Sequence, residues 1–406
     1  MNSPESKTPF VAIACGGTGG HLFPGLAVAE ELKLRGCVVT LLISPKDIDQ
    51  QAVKAASGMD IFTLPAVGLQ NRNYFSFAGS FVKSLFAARK IFRQRRPDAV
   101  LAMGGFTSAP PIFVAKDMGI KIFLHESNTI PGRANRLLSR FVDGAFVGFP
   151  EAAARLKTRK VTTTGTPVRP QFRWGEATDE PAREDARHTH IKKCRIALGL
   201  DPNLPTILVV GGSQGASGLN EMILSALPLL AAKSWQWLHL TGAKDIEKVK
   251  AAYAARGIKA VVKPFLAEMD LALGAATVAV SRAGASSLAE IAAMRLPALL
   301  VPFPAAADNH QFFNACAFEK AGAAKLLEQK NSTPEKVAAI LTELIENEAS
   351  RSKMQSTLEQ WHAPKAAEQI ADGILSVVAR QHERMAQAKT KQWGCGHAHG
   401  AAKHAN

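Results

Sequence analysis

Aromatic and acidic residues are both scarce in this 406-residue chain. Phe, Trp and Tyr make up 7% of it, and 34 acidic residues stand against 49 lysines and arginines, a formal net charge of +15. So few aromatic residues argue against a base-stacking surface, and no helix-turn-helix, zinc-finger or RNP signature is present. We therefore expect no nucleic-acid partner and attribute the charge to phosphate-bearing ligands or an anionic membrane surface.

Paired cysteines and long apolar runs are also lacking. The five cysteines are scattered without CxxC spacing, which implies neither a disulfide framework nor a zinc site. No apolar run reaches about 18 residues, and the start MNSPESKTPF has no charged region followed by an apolar one. The sequence thus predicts neither secretion nor a membrane-spanning helix, and we expect the protein to stay in the cytoplasm.

Each half of the chain begins with a glycine-rich segment, and the two segments are similar. The apolar run Phe10–Ala14 leads into CGGTGGHLFPGLAVAEEL, and Thr206–Val210 leads into GGSQGASGLNEM. Each pattern predicts a strand, a glycine loop and a helix. The first is neither G-x-G-x-x-G nor a P-loop, and the next strand ends in Ser44, where an NAD site would have an acid. We predict an α/β protein with two tandem Rossmann-like, doubly wound domains that face each other across a cleft.

The domain organisation follows from these turns and from changes in composition. We expect an N-terminal Rossmann-like domain over residues 8–170 and a charged linker or surface loop over 171–194. A second Rossmann-like domain is expected over 195–362, followed by a helix over 363–380 that returns to the first domain. Residues 381–406 lose hydrophobic periodicity, which predicts a disordered tail.

Polar loops follow two further strands expected in the first domain. GGFTSAPP comes after Ala99–Met103, and HESNTIPGR comes after Lys121–Leu124. Because ligands bind at the carboxyl ends of parallel strands, we expect His125 and Glu126 to lie at the same edge as His21. The alternative is that His125 and Glu126 only cap the following helix.

The segment 281–311, SRAGASSLAEIAAMRLPALLVPFPAAADNHQ, is the strongest candidate for a ligand site. An apolar run, a loop of small residues and an alanine-rich helix place Ser286, Ser287 and Glu290 at a helix N-terminus. Unpaired backbone N–H groups and the helix dipole favour an anion there, and a carboxylate one turn further on can accept two sugar hydroxyls. This pattern suits a nucleotide sugar. An ordinary capped turn, with Ser as the N-cap and Glu290 as its capping-box partner, is the alternative.

The basic segment Ser76–Pro97 contains six lysines and arginines and no acid. Phe81, Leu85, Ala88 and Phe92 fall on one helical stripe. Such a helix can lie on an anionic membrane. It can equally be an ordinary α/β helix whose stripe packs on the sheet, and both descriptions hold if only part of the stripe is buried.

Two further patterns could suggest a metal, and we expect neither to bind one in the site. Asp47-Ile48-Asp49 has D-x-D spacing but lies just past the second strand, outside the expected donor site. The tail carries Cys395, His397, His399 and His404, which could bind a metal adventitiously, although disorder is the better description of the tail.

Six motifs taken together resemble the family of bacterial peptidoglycan N-acetylglucosaminyltransferases, the MurG family. They occur in the family's order over residues 10–375: GGTGGHLFPGLAVAEEL, GGFTSAPP, HESNTIPG, GTPVRP, GGSQGAS, and SRAGASSLAEI with DNHQFFNA. The resemblance implies a GT-B fold and an inverting transfer without a bound metal or other cofactor. It implies UDP-N-acetylglucosamine as donor and undecaprenyl-linked muramoyl-pentapeptide (lipid I) as acceptor, on the cytoplasmic face of the inner membrane.

The resemblance also implies roles for individual residues. His21 corresponds to the candidate general base, a suitable group for abstracting a hydroxyl proton near neutral pH. The first domain would take the acceptor and the membrane, and the second would hold the donor. The implied donor-binding residues are Thr18, Gly19, Gly20, Asn128, Arg169, Ser213, Leu266, Ala285, Ser286, Ser287, Leu288, Ala289, Glu290 and Gln311.

Other functions remain open at this point. The same fold serves transferases for diacylglycerol or small aglycones and UDP-N-acetylglucosamine 2-epimerases, and a sensor could bind the sugar nucleotide without turnover. The basic amphipathic segment argues against an epimerase, and a histidine in the cleft argues against a sensor. Ala305 and Asn309 depart from residues common in the family, which affects the contacts to the donor sugar.

Overall fold

The structure, a computed structural model, describes residues 8–53, 58–66, 74–172, 184–212 and 215–398. Two separate parallel sheets, each covered by helices on both faces, confirm the predicted pair of α/β domains. Apolar side chains fill both sides of each sheet, which explains the near-continuous apolar runs of the strands.

The first sheet has seven parallel strands in the order β3-β2-β1-β4-β5-β6-β7. The direction of strand progression reverses between β1 and β4, so the loops after these two strands open a crevice at the carboxyl edge. The strands are β1 Phe10–Ala14, β2 Val38–Ile43, β3 Asp60–Thr63, β4 Ala99–Ala102, β5 Lys121–Glu126, β6 Gly144–Val147 and β7 Val161–Thr163. The helices of this part are α1 Gly19–Leu34, α2 Asp47–Ala52, α3 Tyr74–Gln94, α4 Ala109–Asp117 and α5 Arg133–Leu138.

The second sheet has six parallel strands in the order β10-β9-β8-β11-β12-β13, with its reversal between β8 and β11. The strands are β8 Thr206–Val210, β9 Gln236–Leu240, β10 Ala260–Lys263, β11 Val278–Ser281, β12 Ala298–Leu300 and β13 Lys325–Leu326. The helices are α6 Glu184–Ala197, α7 Ser217–Leu230, α8 Ile246–Ala254, α9 Met269–Ala275, α10 Ala285–Ala293, α11 His310–Ala321, α12 Pro334–Glu346, α13 Glu348–Trp361 and α14 Ala366–Ala398.

The segment expected as an irregular linker is partly helical. Residues 184–194 belong to α6, while 173–183 lie outside the described residues. Cys194 is buried and its sulfur lies close to Gly274 of α9, and Arg195 donates hydrogen bonds to the main chain of Ala275 and Pro202. These tertiary contacts stabilise a helix that the charged composition alone did not predict.

Helix α14 is longer than expected and connects the end of the chain to the first domain. Ile370, Ile374 and Val378 are buried in the same cluster as Val11 of the first sheet. Residues 381–398, which were expected to be disordered, continue the helix to Ala398 and contain no proline. Residues 399–406 of the expected tail lie outside the described residues. His382 also contacts Asp98 of the first domain at 2.9 Å.

Candidate active site

A cleft of about 1080 Å³ separates the two sheets at their carboxyl edges. The first domain contributes the loops after β1, β4 and β5, and the second contributes loops after β8, β10 and β11. Both strand-order reversals open into it, which is where ligands bind in open parallel sheets.

His21 lies in the first turn of α1 and faces this cleft. Gly104 and Gly105 lie directly against its ring: a Cβ at Gly104 would be 2.8 Å from Cε1, and one at Gly105 would be 3.0 Å from Cδ2. Both glycines have positive φ, 110° and 75°, so side chains are excluded on two counts. Burial lowers the pKa of His21 and outweighs the opposite effect of Glu126. The imidazole is therefore neutral near pH 7 and able to accept a proton.

Glu126, at the end of β5, holds the following loop in shape. One carboxylate oxygen accepts hydrogen bonds from the main-chain N–H and the side-chain amide of Asn128. The other accepts from the Gly132 N–H at 2.9 Å and from Nδ2 of Asn135 at 2.8 Å. The carboxylate is 2% exposed and fully engaged, so its role is to organise residues 127–135 rather than to cap one helix.

His125 serves the architecture rather than the chemistry. It is fully buried, and its ring nitrogens lie 3.2 Å from the Gly165 carbonyl and 3.3 Å from the Ser127 hydroxyl. Burial lowers the pKa of His125 to about 4. The ring stays neutral and joins β5 to the loop after β7.

The N-terminus of α10 forms the opposite wall of the cleft. The N-cap is Gly284 in an extended conformation, and among the described residues no side chain caps this helix. The alternative of a serine N-cap is therefore wrong. Ser286 instead donates a hydrogen bond across the cleft to the Gly20 carbonyl, at 3.1 Å. The glycine loop of one domain thus touches the helix end of the other.

Glu290 and Arg169 meet at the inner end of the cleft. Glu290 Oε1 lies 3.8 Å from Arg169 Nη2, and both side chains are about 85% buried, with exposed fractions of 14% and 15%. The guanidinium also lies 4.1 Å from the Phe23 ring and 5.0 Å from the Phe172 ring, positions that suit cation–π attraction. Burial raises the pKa of Glu290 to about 7, although Arg169 opposes the shift. A buried cation and a carboxylate are thus held ready for an anionic, hydroxyl-bearing ligand.

Gln311 and Asn314, both on α11, connect the loops around the site. Gln311 Oε1 accepts hydrogen bonds from the N–H groups of Ala283 and Phe303. Asn314 is fully buried and bonds to Asn128, to Thr129 and to the Ala283 carbonyl. Asn314 therefore joins the two domains behind the site. The sequence motif DNHQFFNA contained Asn314, but nothing in its spacing distinguished it from neighbouring helix residues.

Most of the site residues expected from the sequence line the same cleft. Those that do so are Thr18, Gly19, Gly20, His21, Asn128, Arg169, Leu266, Ala285, Ser286, Ser287, Glu290 and Gln311. Leu288 and Ala289 instead line a small separate cavity of about 30 Å³ between the domains. Ser213 lies outside the described residues.

The Asp47-Ile48-Asp49 segment lies in α2, and Asp49 has a structural role. Asp49 Oδ2 accepts hydrogen bonds from the Gly17 N–H and from the N–H and hydroxyl of Ser44. It thereby fixes the glycine loop that leads to His21. Among the described residues, no three His, Cys, Asp or Glu side chains are grouped to hold a metal ion.

Helix α3 has two apolar faces. Ala88 and Phe92 of the predicted stripe are buried in the first domain, and Phe81 is only half-buried, edge-on to Phe113 of α4. A second face exposes Phe75, Val82 and Phe86, and Phe75 and Phe86 are 94% and 71% exposed. Within the part of the chain that the structure covers, no helix is both long and apolar enough to cross a bilayer.

Two facing α/β domains with a neutral histidine, a buried arginine and a buried carboxyl group in the cleft between them have the architecture of GT-B glycosyltransferases. The model of the glycosyltransferase family 28 N-terminal domain matches residues 11–147, and that of the family's C-terminal domain matches residues 206–370. The chain belongs to glycosyltransferase family 28.

Full-length relatives make the family more specific. The chain is similar to two relatives, from Anaeromyxobacter sp. (strain Fw109-5) and Xanthomonas axonopodis pv. citri (strain 306). Both are named UDP-N-acetylglucosamine--N-acetylmuramyl-(pentapeptide) pyrophosphoryl-undecaprenol N-acetylglucosamine transferase. The first is 37% identical over 376 residues, covering 91% of this chain and 93% of the relative. The second is 37% identical over 375 residues, covering 92% and 83%.

Solved structures agree with this assignment. The crystal structure of Acinetobacter baumannii MurG has a TM-score of 0.69 and 29% identity, covering 91% of this chain and 99% of that one. A putative UDP-N-acetylglucosamine 2-epimerase from Listeria monocytogenes has a TM-score of 0.65 but 15% identity, over 92% and 97% of the two chains. That likeness concerns the fold alone.

Proposed function

We propose that this protein transfers N-acetylglucosamine from UDP-N-acetylglucosamine to the C4 hydroxyl of undecaprenyl-pyrophosphoryl-muramoyl-pentapeptide, the step that forms lipid II. The observation that carries the proposal is the cleft itself. It sets a neutral histidine on a glycine loop opposite a helix N-terminus that is flanked by Arg169 and Glu290.

The donor occupies the wall formed by the second domain. Its phosphates accept hydrogen bonds from the Arg169 guanidinium and from the N–H groups at the start of α10, because a helix N-terminus attracts anions. Its ribose hydroxyls donate to the Glu290 carboxylate. Its uracil lies against the main chain at Leu266, in the loop after β10. Ser213, in the glycine turn after β8, is a further phosphate contact in this proposal.

The reaction is a direct displacement at the anomeric carbon. His21 accepts the proton of the acceptor hydroxyl while the hydroxyl oxygen bonds to C1 of the donor N-acetylglucosamine. At the same time the bond between C1 and the UDP oxygen breaks. Attack from the face opposite the leaving group inverts the configuration. The departing UDP gains negative charge, which Arg169 and the α10 dipole stabilise by about 3 kcal/mol for a well-placed donor. In this proposal no metal ion or other cofactor takes part.

The acceptor is lipid-linked, so the enzyme must work at a membrane surface. The exposed face of α3, formed by Phe75, Val82 and Phe86, has exposed Lys83 and Lys90 beside it. Apolar side chains inserted among lipids and lysines near anionic headgroups bind a bilayer together, each cation contributing about 1 kcal/mol. We place the protein peripherally on the cytoplasmic face of the inner membrane, held by anionic lipid.

One assay examines the proposed reaction directly. Purified protein is incubated with labelled UDP-N-acetylglucosamine and a lipid I analogue, with and without EDTA, and the lipid fraction is analysed. We expect labelled disaccharide lipid in both samples. Conversion of the donor to its 2-epimer, or donor binding without product, would instead support the epimerase or the sensor.

A further inference from the structure

A pair of arginines at the mouth of the cleft has no role in the reaction described above. Arg133 and Arg136 lie on α5 of the first domain and contact Asp308 of the second. Arg133 Nη2 is 3.1 Å from Asp308 Oδ1, and Arg136 contacts the other carboxylate oxygen. Arg133 and Asp308 both line the cleft, whereas Arg136 does not line it and is connected to it through its contact with Asp308.

Helix α5 connects the catalytic histidine to the membrane-facing end of the site. Its residue Asn135 packs against Gly104, the same glycine that contacts the His21 ring. Its residue Leu137 lines the cleft beside Phe81 and Phe113, the pair of rings that joins α3 to α4. The two arginines therefore lie on the short helix that links the two regions.

We propose that Arg133 and Arg136 form the subsite for the pyrophosphate of the lipid-linked acceptor, and that Asp308 occupies this subsite in the empty enzyme. The inference rests on the proposed function. In such an acceptor the pyrophosphate joins C1 of the sugar to the lipid, and C4 is on the far side of the ring. With C4 at His21 and the lipid directed towards α3, the pyrophosphate falls at α5.

The chemistry of the two sides fits this exchange. Guanidinium groups bind phosphate oxygens through paired, charge-assisted hydrogen bonds. Arg133 is 80% exposed and the Asp308 side chain 26%, and ion pairs at such exposure contribute little net free energy. A pyrophosphate with several charged oxygens therefore competes effectively with a single carboxylate. Asp308 also has a φ of 50°, a left-handed conformation that aspartate adopts more readily than most residues.

The experiment compares Arg133→Gln, Arg136→Gln and the double variant with wild type and with Arg159→Gln. Arg159 is an exposed arginine of the first domain that does not line the cleft. We expect each single change to raise the KM for the acceptor about tenfold and the double change to raise it further. The KM for UDP-N-acetylglucosamine and the melting temperature should stay near wild type, as for Arg159→Gln. Arg133→Lys with Arg136→Lys, which keeps the charge without the paired geometry, should fall between.

Asp308→Asn separates this subsite from a simple latch between the domains. If Asp308 competes with the acceptor, its removal leaves the acceptor KM unchanged or lowers it. If the ion pairs matter only because they hold the domains together, Asp308→Asn raises the acceptor KM as the arginine variants do, and the proposal is refuted.

A comparison of two acceptors identifies the anionic group of the acceptor that the arginines bind. One is a muramoyl-pyrophosphoryl-farnesol with the pentapeptide, and the other lacks the peptide. The arginine variants should be impaired with both acceptors. Impairment confined to the peptide-bearing acceptor would assign the arginines to peptide carboxylates and overturn the proposal. Transfer by wild type together with unchanged acceptor KM in all variants would reject this inference while leaving the proposed function intact.

Discussion

Glu290 allows the donor site to be examined through its pH dependence. Burial raises the pKa of this carboxyl from 4.5 to about 7 in the empty cleft, which corresponds to roughly 3 kcal/mol for placing the charge there. The ionised form offers two acceptor oxygens to the ribose hydroxyls, whereas protonation turns one of these oxygens into a donor. Donor capture should therefore strengthen as pH rises through about 7, and be lost as pH falls below it.

The size of the effect follows from the fraction of Glu290 that is ionised. One pH unit below its pKa, about a tenth of the free enzyme has the competent carboxylate, so kcat/KM for the donor should be about tenfold below its plateau. The Glu290→Gln variant has no such group. It should lose this rise and show a donor KM raised about 10- to 100-fold, since hydrogen bonds to a charged group contribute about 1.5–3 kcal/mol.

Initial rates at saturating acceptor, measured between about pH 5.5 and 8.5, provide the comparison. His21 titrates below its ordinary value, so any remaining rise in the Glu290→Gln variant should lie at lower pH. Glu268→Gln is the matched control, because Glu268 is an exposed acid near Leu266 that does not line the cleft. A wild-type pH profile retained in Glu290→Gln, or an unchanged donor KM, would refute the assignment of Glu290 to the ribose.

Four other predictions concern the base, the membrane face, the glycine loop and the metal-free reaction. His21→Ala should lower kcat about 100-fold or more with the donor KM little changed, and an unchanged kcat would remove its role as base. Phe86→Ser combined with Lys90→Glu should shift the protein away from anionic vesicles in flotation, whereas equal flotation would mean that the exposed face of α3 does not bind lipid. Asp49→Asn should lower the melting temperature, because Gly17 and Ser44 lose a charged hydrogen-bond acceptor. Wild-type activity should persist in EDTA, and loss of activity on chelation would contradict the proposed metal-free transfer.

The sheet edges and glycine turns were predictable because they depend on local patterns. An apolar run followed by several glycines predicts a strand, a tight loop and a helix. This pattern occurs at Phe10–Leu34 and again in the segment that begins with Thr206. Parallel strands then place their carboxyl ends together. The prediction that His21 and Glu126 share one edge needed nothing more.

Contacts between the domains could not be predicted in this way. Asn314 and Asp308 bond to residues 172–186 positions away, and no local period encodes such pairs. The course of α6 likewise depends on the packing of Cys194 against α9, which its charged composition conceals. On α3, the pattern identified the stripe at Ala88 and Phe92, which is buried. The exposed face had to be found from the structure.

The polar contacts that join the domains at the cleft use the groups that the substrates need. Arg169 pairs with Glu290, and Ser286 bonds to the Gly20 carbonyl. In the proposed function, a bound donor replaces the first contact with contacts to its own phosphate and ribose, so it exchanges one interaction between the domains for two that it makes itself. Asn314 joins the domains through Asn128 and Thr129 behind the site, so the contact between Arg169 and Glu290 can be exchanged while other bonds between the domains remain.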